Sequence, residues 1–114
     1  MNNKINIAVD AMGGENAPKK ILDGIEHFIN NKNDIYFNIF GNKSLIEKNM
    51  PKKISKNFYN IIHTDEKVKD EDSALTGAKN KNTSMWLAVD SVKNKNSDIV
   101  VSAGNTGALF VVSK

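Results

Sequence analysis

The pattern of apolar and polar positions divides this chain into short β-rich segments that alternate with helical ones. Four runs are rich in β-branched and aromatic residues, which is typical of strands: Ile5–Asp10, Ile35–Gly41, 58–64 and 98–103. Between them, apolar residues recur at intervals of three and four. This spacing predicts helices at 18–30 and 82–94 and a short helix that ends at Pro51. The stretch "TGALFVVSK" begins a further helix at the end of the chain.

Local signals indicate where two of these helices begin. Ser44 and Glu47 form an S-x-x-E pattern, which predicts a capping box at the start of the short helix. For the helix over 82–94, either Thr83 or Ser84 can serve as the N-cap.

The order of the elements is β-α-β-α-β-α-β-α, which predicts a single α/β domain over residues 1–114. Such alternation is typical of an open, mostly parallel sheet with helices on both faces. The predicted last helix carries four consecutive apolar residues: Leu109, Phe110, Val111 and Val112. A helix that is apolar nearly all round is normally covered on several sides. We therefore expect an incomplete fold, the N-terminal fragment of a longer protein, or a chain that another chain completes.

Composition narrows the classes of function. All 16 basic residues are lysines, and they are scattered rather than clustered or interleaved with aromatic residues, so the net charge of +3 does not indicate nucleic-acid binding. The chain has no cysteine and only two distant histidines, which argues against a thiolate nucleophile and a zinc site. No cofactor is indicated. The beginning of the chain lacks the features of a signal peptide, so we expect a cytoplasmic protein, with peripheral membrane association left open.

Ligands of open α/β sheets bind beyond the carboxyl ends of the strands. Four segments fall at that edge: 10–15, 41–42, 63–66 and 102–107. The last of these reads "SAGNTG", a small-residue turn between a strand and a helix. Its backbone N–H groups and glycines suit an anion, with five candidate residues: Ser102, Gly104, Asn105, Thr106 and Gly107. From spacing alone, a plain strand-to-helix turn explains the segment equally well.

Three other candidates have weaker support. In "DAMGG", Asp10 ends a strand and can orient a ligand, while Gly13 and Gly14 allow close backbone approach; a turn stiffened by its aspartate is the simpler alternative. His63 ends the third strand and can act as a general acid or base, although a single histidine there is more often structural. Lys81 lies before a helix and can reach a phosphate, although loop lysines are usually solvated.

Four stretches in order give the chain a resemblance to a known family: "IAVDAMGGENAP", "HTDE", "TSMWLAVDSVK" and "VSAGNTGAL". They resemble motifs of the phosphate acyltransferases of bacterial phospholipid synthesis, the PlsX family. The match covers the whole chain but only the N-terminal part of the longer family members. It implies a Rossmann-like sheet similar to those of isopropylmalate dehydrogenases and phosphate acetyltransferases, in a homodimer.

The resemblance also implies a reaction. Inorganic phosphate attacks the thioester of a long-chain acyl group on acyl carrier protein, and the acyl phosphate then passes to a membrane glycerol-3-phosphate acyltransferase. By match to the motifs, Asp10, Asn105 and His63 are the expected catalytic residues. The residues expected to bind phosphate or substrate are Gly13, Gly14, Lys81, Ser84, Ser102, Gly104, Thr106 and Gly107.

The chain departs from the family pattern in three ways. Glu15 replaces the usual aspartate, Thr83 replaces a serine, and the basic run before Ser84 keeps only Lys79 and Lys81. Since lysine lacks the bidentate fork of arginine, we expect a weaker grip on phosphate or on the acidic carrier. We expect little activity from the chain alone. A coenzyme A-dependent phosphate acyltransferase and a non-catalytic truncated remnant remain as alternatives.

Overall fold

The chain forms a four-stranded, all-parallel sheet with the strand order β3-β2-β1-β4. A computed structural model describes residues 4–14, 16–29, 34–67 and 79–102. The strands are β1 (Ile5–Asp10), β2 (Ile35–Gly41), β3 (Tyr59–His63) and β4 (Ile99–Ser102). The helices are α1 (Lys19–Ile29), α2 (Lys43–Asn49) and α3 (Ser84–Lys93).

The strand order explains why the helices lie on both faces of the sheet. β1, β2 and β3 follow one another in a single direction, whereas the chain crosses back from β3 to place β4 on the far side of β1. Because parallel crossovers are right-handed, the reversal moves α3 to the face opposite α1 and α2. The α/β class predicted from the sequence is therefore confirmed, and the architecture is Rossmann-like.

The larger part of the core lies between the sheet and the helices α1 and α2. Its members are apolar side chains of β1 and β2 and of the helices that cover them, among them Val9, Leu22, Phe37, Ile39 and Ile46. A smaller cluster beneath α3 contains Ala8, Phe40 and Ala88. On β4, Ile99 and Val101 are about half exposed beside a groove of about 330 Å³, so within the described ranges this face of the sheet is only partly covered.

The four predicted strands and the first three predicted helices agree with the structure apart from their ends. Each of the strands predicted at 58–64 and 98–103 is shorter in the structure, because Phe58 belongs to a 3₁₀ turn and Ile99 is the first paired residue of β4. For α3, the open choice of N-cap is settled in favour of Thr83, whose hydroxyl accepts the N–H of Trp86 at 3.1 Å.

The capping box at Ser44 and Glu47 is wrong. The N-cap of α2 lies two residues earlier, at Asn42, whose side-chain oxygen accepts the N–H of Leu45 at 3.1 Å. Asparagine caps as well as serine does, and Asn42 follows β2 directly, so the strand end positions the cap before Ser44 is reached.

The predicted last helix, after residue 106, lies outside the described residues. Among the helices of the described part, none is long and apolar enough to cross a membrane.

Candidate active site at the carboxyl edge of the sheet

The carboxylate of Asp10 lies at the centre of a polar cluster at the carboxyl edge. Its Oδ1 accepts the hydroxyl of Ser84 at 2.5 Å, and its Oδ2 accepts the hydroxyl of Ser102 at 2.8 Å. The backbone N–H of Met12 donates to Oδ1 at 3.2 Å. The Asp10 side chain thus joins the end of β1 to the start of α3 and to the end of β4. Their residues Ser84 and Ser102 lie 74 and 92 positions further along the chain than Asp10.

The sheet register brings the two ends of this cluster together. β1 and β4 are parallel neighbours, and their last residues, Asp10 and Ser102, are partners in the ladder. Both side chains therefore project on the same face, which is the face covered by α3.

The start of α3 is held above that face by the segment after β3. Glu66 and Thr83 form an isolated parallel bridge, and the N–H of Ser84 donates to the carbonyl of Glu66 at 3.0 Å. The hydroxyl of Thr64 also donates to the carbonyl of Asn82, which fixes the segment before the cap. These bonds place Ser84, the first residue of α3, over Asp10.

Burial makes this cluster costly to disturb. Asp10 is 1% exposed and Ser84 is fully buried, while Ser102 is half-buried. Hydrogen bonds to a carboxylate are stronger than those between neutral groups, and a buried group left without its partner carries a large desolvation penalty. No buried side-chain nitrogen or oxygen in the described ranges lacks a hydrogen-bond partner.

The glycine-containing loop follows Asp10 directly. Gly13 is buried, and Gly14 has a φ of +83°, a left-handed conformation that favours glycine. Met12, between Asp10 and this pair, lies across the end of β2: a Cβ placed on Gly41 would be 2.7 Å from its Cγ. Gly41 was predicted to lie at the carboxyl edge but was given no role, and its position at the end of a strand was the signal available.

His63 lies at the same edge but in a separate cluster. Its Nδ1 accepts the N–H of Lys43 at 3.0 Å, and its Nε2 is 3.2 Å from Oδ1 of Asp65. Its partner in the sheet is Gly41 of β2, and β2 lies between it and Asp10, so two strand spacings, roughly 10 Å, separate them. The structure thus does not bring together Asp10 and His63, two of the three predicted catalytic residues.

Lys81 is exposed and precedes the N-cap of α3. Its Nζ lies 6.0 Å from the centre of the Trp86 ring, near the outer limit of a cation–π contact. It therefore lies beside the helix start that holds Ser84.

The rest of the predicted anion site lies outside the described residues: Gly104, Asn105, Thr106 and Gly107. Ser102 is the last described residue, and its hydroxyl is bonded to Asp10.

The fold and this cluster define an α/β protein with a polar site at the carboxyl edge of a parallel sheet. A family model described as "Fatty acid synthesis protein" matches residues 5–114, and the chain belongs to that family. Together with relatives named phosphate acyltransferase, this match confirms the resemblance that the sequence motifs indicate.

Several curated relatives carry the name phosphate acyltransferase. One from Pelagibacter ubique is 56% identical over 115 residues, covering all of this chain and 34% of the relative. One from Streptococcus equi subsp. equi is 44% identical over 105 residues, covering 91% of this chain and 30% of the relative. One from Streptococcus pyogenes is 42% identical over 107 residues, covering 93% of this chain and 31% of the relative. The chain thus spans about a third of the length of these relatives.

Proposed function

We propose that this chain contributes the phosphate-binding part of an acyltransferase that makes acyl phosphate for phospholipid synthesis. The acyl donor is a long-chain acyl group on acyl carrier protein, and the nucleophile is inorganic phosphate. The observation that carries the proposal is the cluster around Asp10, which ties three motifs of the phosphate acyltransferase pattern to one carboxylate.

The chemistry needs an anion site rather than a nucleophilic side chain. A phosphate oxygen attacks the thioester carbonyl carbon, the resulting tetrahedral oxyanion collapses, and the carbon–sulfur bond breaks. The proton of hydrogen phosphate goes to the departing thiolate, which leaves as the free thiol of the carrier. Backbone N–H donors that stabilise the oxyanion are the main requirement of such a site.

The proposed roles follow from the place of each residue. Ser102 immediately precedes the "AGNTG" segment in the sequence, where Gly104, Thr106 and Gly107 are proposed to bind phosphate and Asn105 to stabilise the oxyanion. Gly13 and Gly14 form the opposite wall, and Ser84 and Lys81 bring the start of α3 to the anion. Since Asp10 is buried and accepts the hydroxyls of Ser84 and Ser102, it acts by holding these two residues in place.

His63 is proposed as a source or acceptor of protons, with a restriction. Both of its ring nitrogens already face groups of this chain, so proton transfer requires the contact with Lys43 or with Asp65 to open. An exposed ring at the edge of the sheet allows such an opening.

The assay is acyl phosphate formation with inorganic phosphate and either acyl carrier protein or coenzyme A as the thioester donor. We expect a preference for the carrier protein in a full-length relative and little or no turnover by the 114-residue chain. Turnover with coenzyme A alone would favour the alternative acyltransferase, and robust turnover by the chain alone would show that it needs no further part.

Binding of inorganic phosphate to the chain is measured separately by NMR titration. Saturable shifts at Ser84, Met12 and Ser102 are the expected result, with Ser102→Ala as the weakened variant and Ser91→Ala, near the other end of α3, as a matched control. Absence of binding would leave the chain as a non-catalytic remnant.

The homodimer and the membrane acyltransferase partner are also proposals, tested by sedimentation and by co-purification of the full-length protein.

A further inference from the structure

Gly41 occupies the point where the glycine loop crosses the sheet edge. A Cβ built on this residue would be 2.7 Å from Cγ and 3.1 Å from Sδ of Met12, and 3.1 Å from Cδ1 of Ile46. Separations below about 3.0 Å do not occur between carbon atoms in packed cores, where optimal contact is near 3.5 to 4.0 Å. The side chain of Met12 therefore takes the place that any other residue at position 41 would fill.

The backbone around Gly41 is fixed on both sides. The N–H of Ala11 donates to the carbonyl of Phe40 at 3.0 Å, and the N–H of Thr64 donates to the carbonyl of Gly41 at 3.0 Å. The ends of β1 and β3 are thus bonded to the end of β2, which cannot shift to accommodate a larger residue without breaking these bonds.

Met12 is itself part of the loop that follows Asp10. Its N–H donates to Oδ1 of Asp10, and Gly13 and Gly14 come next along the chain. A displaced Met12 side chain pulls on the backbone between the carboxylate and the two glycines.

We infer that Gly41 is a positioning residue for the phosphate-binding loop: the missing side chain lets Met12 pack over the end of β2 and sets the position of Gly13 and Gly14. This inference rests on the proposed function for its consequence in phosphate binding. Neither Gly41 nor Met12 contacts the phosphate in this scheme, and both act through the loop.

The test compares four variants of the chain: Gly41→Ala, Met12→Ala, the double variant and Gly24→Ala. Gly24 is the matched control, because it lies in α1 and a Cβ there meets no atom within 4 Å. NMR titration with inorganic phosphate measures affinity, and hydrogen exchange of the Met12 amide reports on its bond to Asp10.

We expect Gly41→Ala to weaken phosphate binding about tenfold, the range produced by overpacking a rigid site. Met12→Ala alone should weaken binding about threefold, and the double variant should bind no worse than Met12→Ala, because the Cβ then has room. Gly24→Ala should bind like the parent chain. This rescue separates the contact with Met12 from any backbone effect of the alanine, which would persist in the double variant.

Two results would overturn the inference: parent-like affinity in Gly41→Ala, or additive losses in the double variant. If the parent chain binds no phosphate, the proposed function fails and the exchange data decide the inference alone. Faster exchange of the Met12 amide in Gly41→Ala, restored in the double variant, supports it. Equal exchange rates in all variants contradict it.

Discussion

Two polar clusters at the same edge of the sheet differ in how they are built. The cluster around Asp10 is buried and joins residues 74 and 92 positions apart. The cluster around His63 is exposed, and its contacts with Lys43 and Asp65 stay within 20 positions. The first connects three elements of the fold, whereas the second fixes only the turn between β2 and α2 and the residues just after β3.

A position at the functional edge therefore does not by itself make a residue part of one site. β2 separates the two clusters, and the structure contains no contact between their predicted catalytic side chains. We therefore expect substitutions in the Asp10 cluster to affect the whole domain, and substitutions in the His63 cluster to remain local.

Asp10→Ala should have the largest effect. It leaves two buried or half-buried hydroxyls and one N–H without their acceptor, and we expect the free energy of unfolding to fall by about 3 kcal/mol. Urea unfolding followed by the fluorescence of Trp86, the single tryptophan, measures it. Asp10→Asn is the matched variant, and it should lose less because its amide keeps one acceptor oxygen. A loss for Asp10→Ala below that of Asp10→Asn would contradict the central role of the carboxylate.

Ser84→Ala should have the next largest effect and lower the free energy of unfolding by about 1.5 kcal/mol. It removes one fully buried donor to Asp10 and leaves the donors of Met12 and Ser102 in place. Ser102→Ala is the natural comparison, since its hydroxyl donates to the same carboxylate from a half-buried position. The same unfolding experiment should give it a smaller loss. Equal losses would indicate that burial does not govern the strength of these two bonds.

His63→Ala should lower the free energy of unfolding less, by about 0.5 kcal/mol, because the ring is 48% exposed and water can replace its contacts. His63→Asn retains an acceptor for the N–H of Lys43 and should be closer to neutral. Hydrogen exchange at Lys43 should rise in His63→Ala, while exchange at Met12 stays unchanged. Faster exchange of the Met12 amide in His63→Ala would contradict this prediction and indicate that the two clusters act as one unit.

The smallest effect concerns a residue outside both clusters. Burial raises the pKa of Tyr59, at the start of β3, with a further contribution from Glu47. The folded state therefore holds this proton more tightly than the unfolded state. The contribution of Tyr59 to stability is constant below its ordinary pKa of 10.0 and falls as the pH rises above that value. Unfolding curves between pH 8 and about 11 should show a weaker decline for Tyr59→Phe than for the parent chain.

The elements were predictable because their patterns are local. β1 and β2 have the predicted bounds, and the alternation of strands and helices was enough to predict a parallel sheet. The cap of α2 was not predictable from spacing, because Asn42 and Ser44 are both good N-caps and the end of β2 decides between them.

The candidate site was predictable in its residues but not in its connections. Asp10, Ser84 and Ser102 were each marked by a motif or by a strand end, yet no spacing in the sequence relates residues so far apart. Their meeting depends on which strands are neighbours and in what register, as the pairing of Asp10 with Ser102 shows. Gly41 went without a role for the same reason, since the atom that excludes a side chain there belongs to Met12.

Apolar periodicity and short motifs are properties of neighbouring residues, so they were enough to predict the strands and helices of the described part, the α/β class and the family. Three features became known only from the fold: Asp10 receives two hydroxyls from distant elements, His63 lies two strands away, and Met12 fills the space beside Gly41. These features depend on which segments become neighbours when the chain crosses from one side of the sheet to the other. The spacing of residues along the sequence does not determine that strand order.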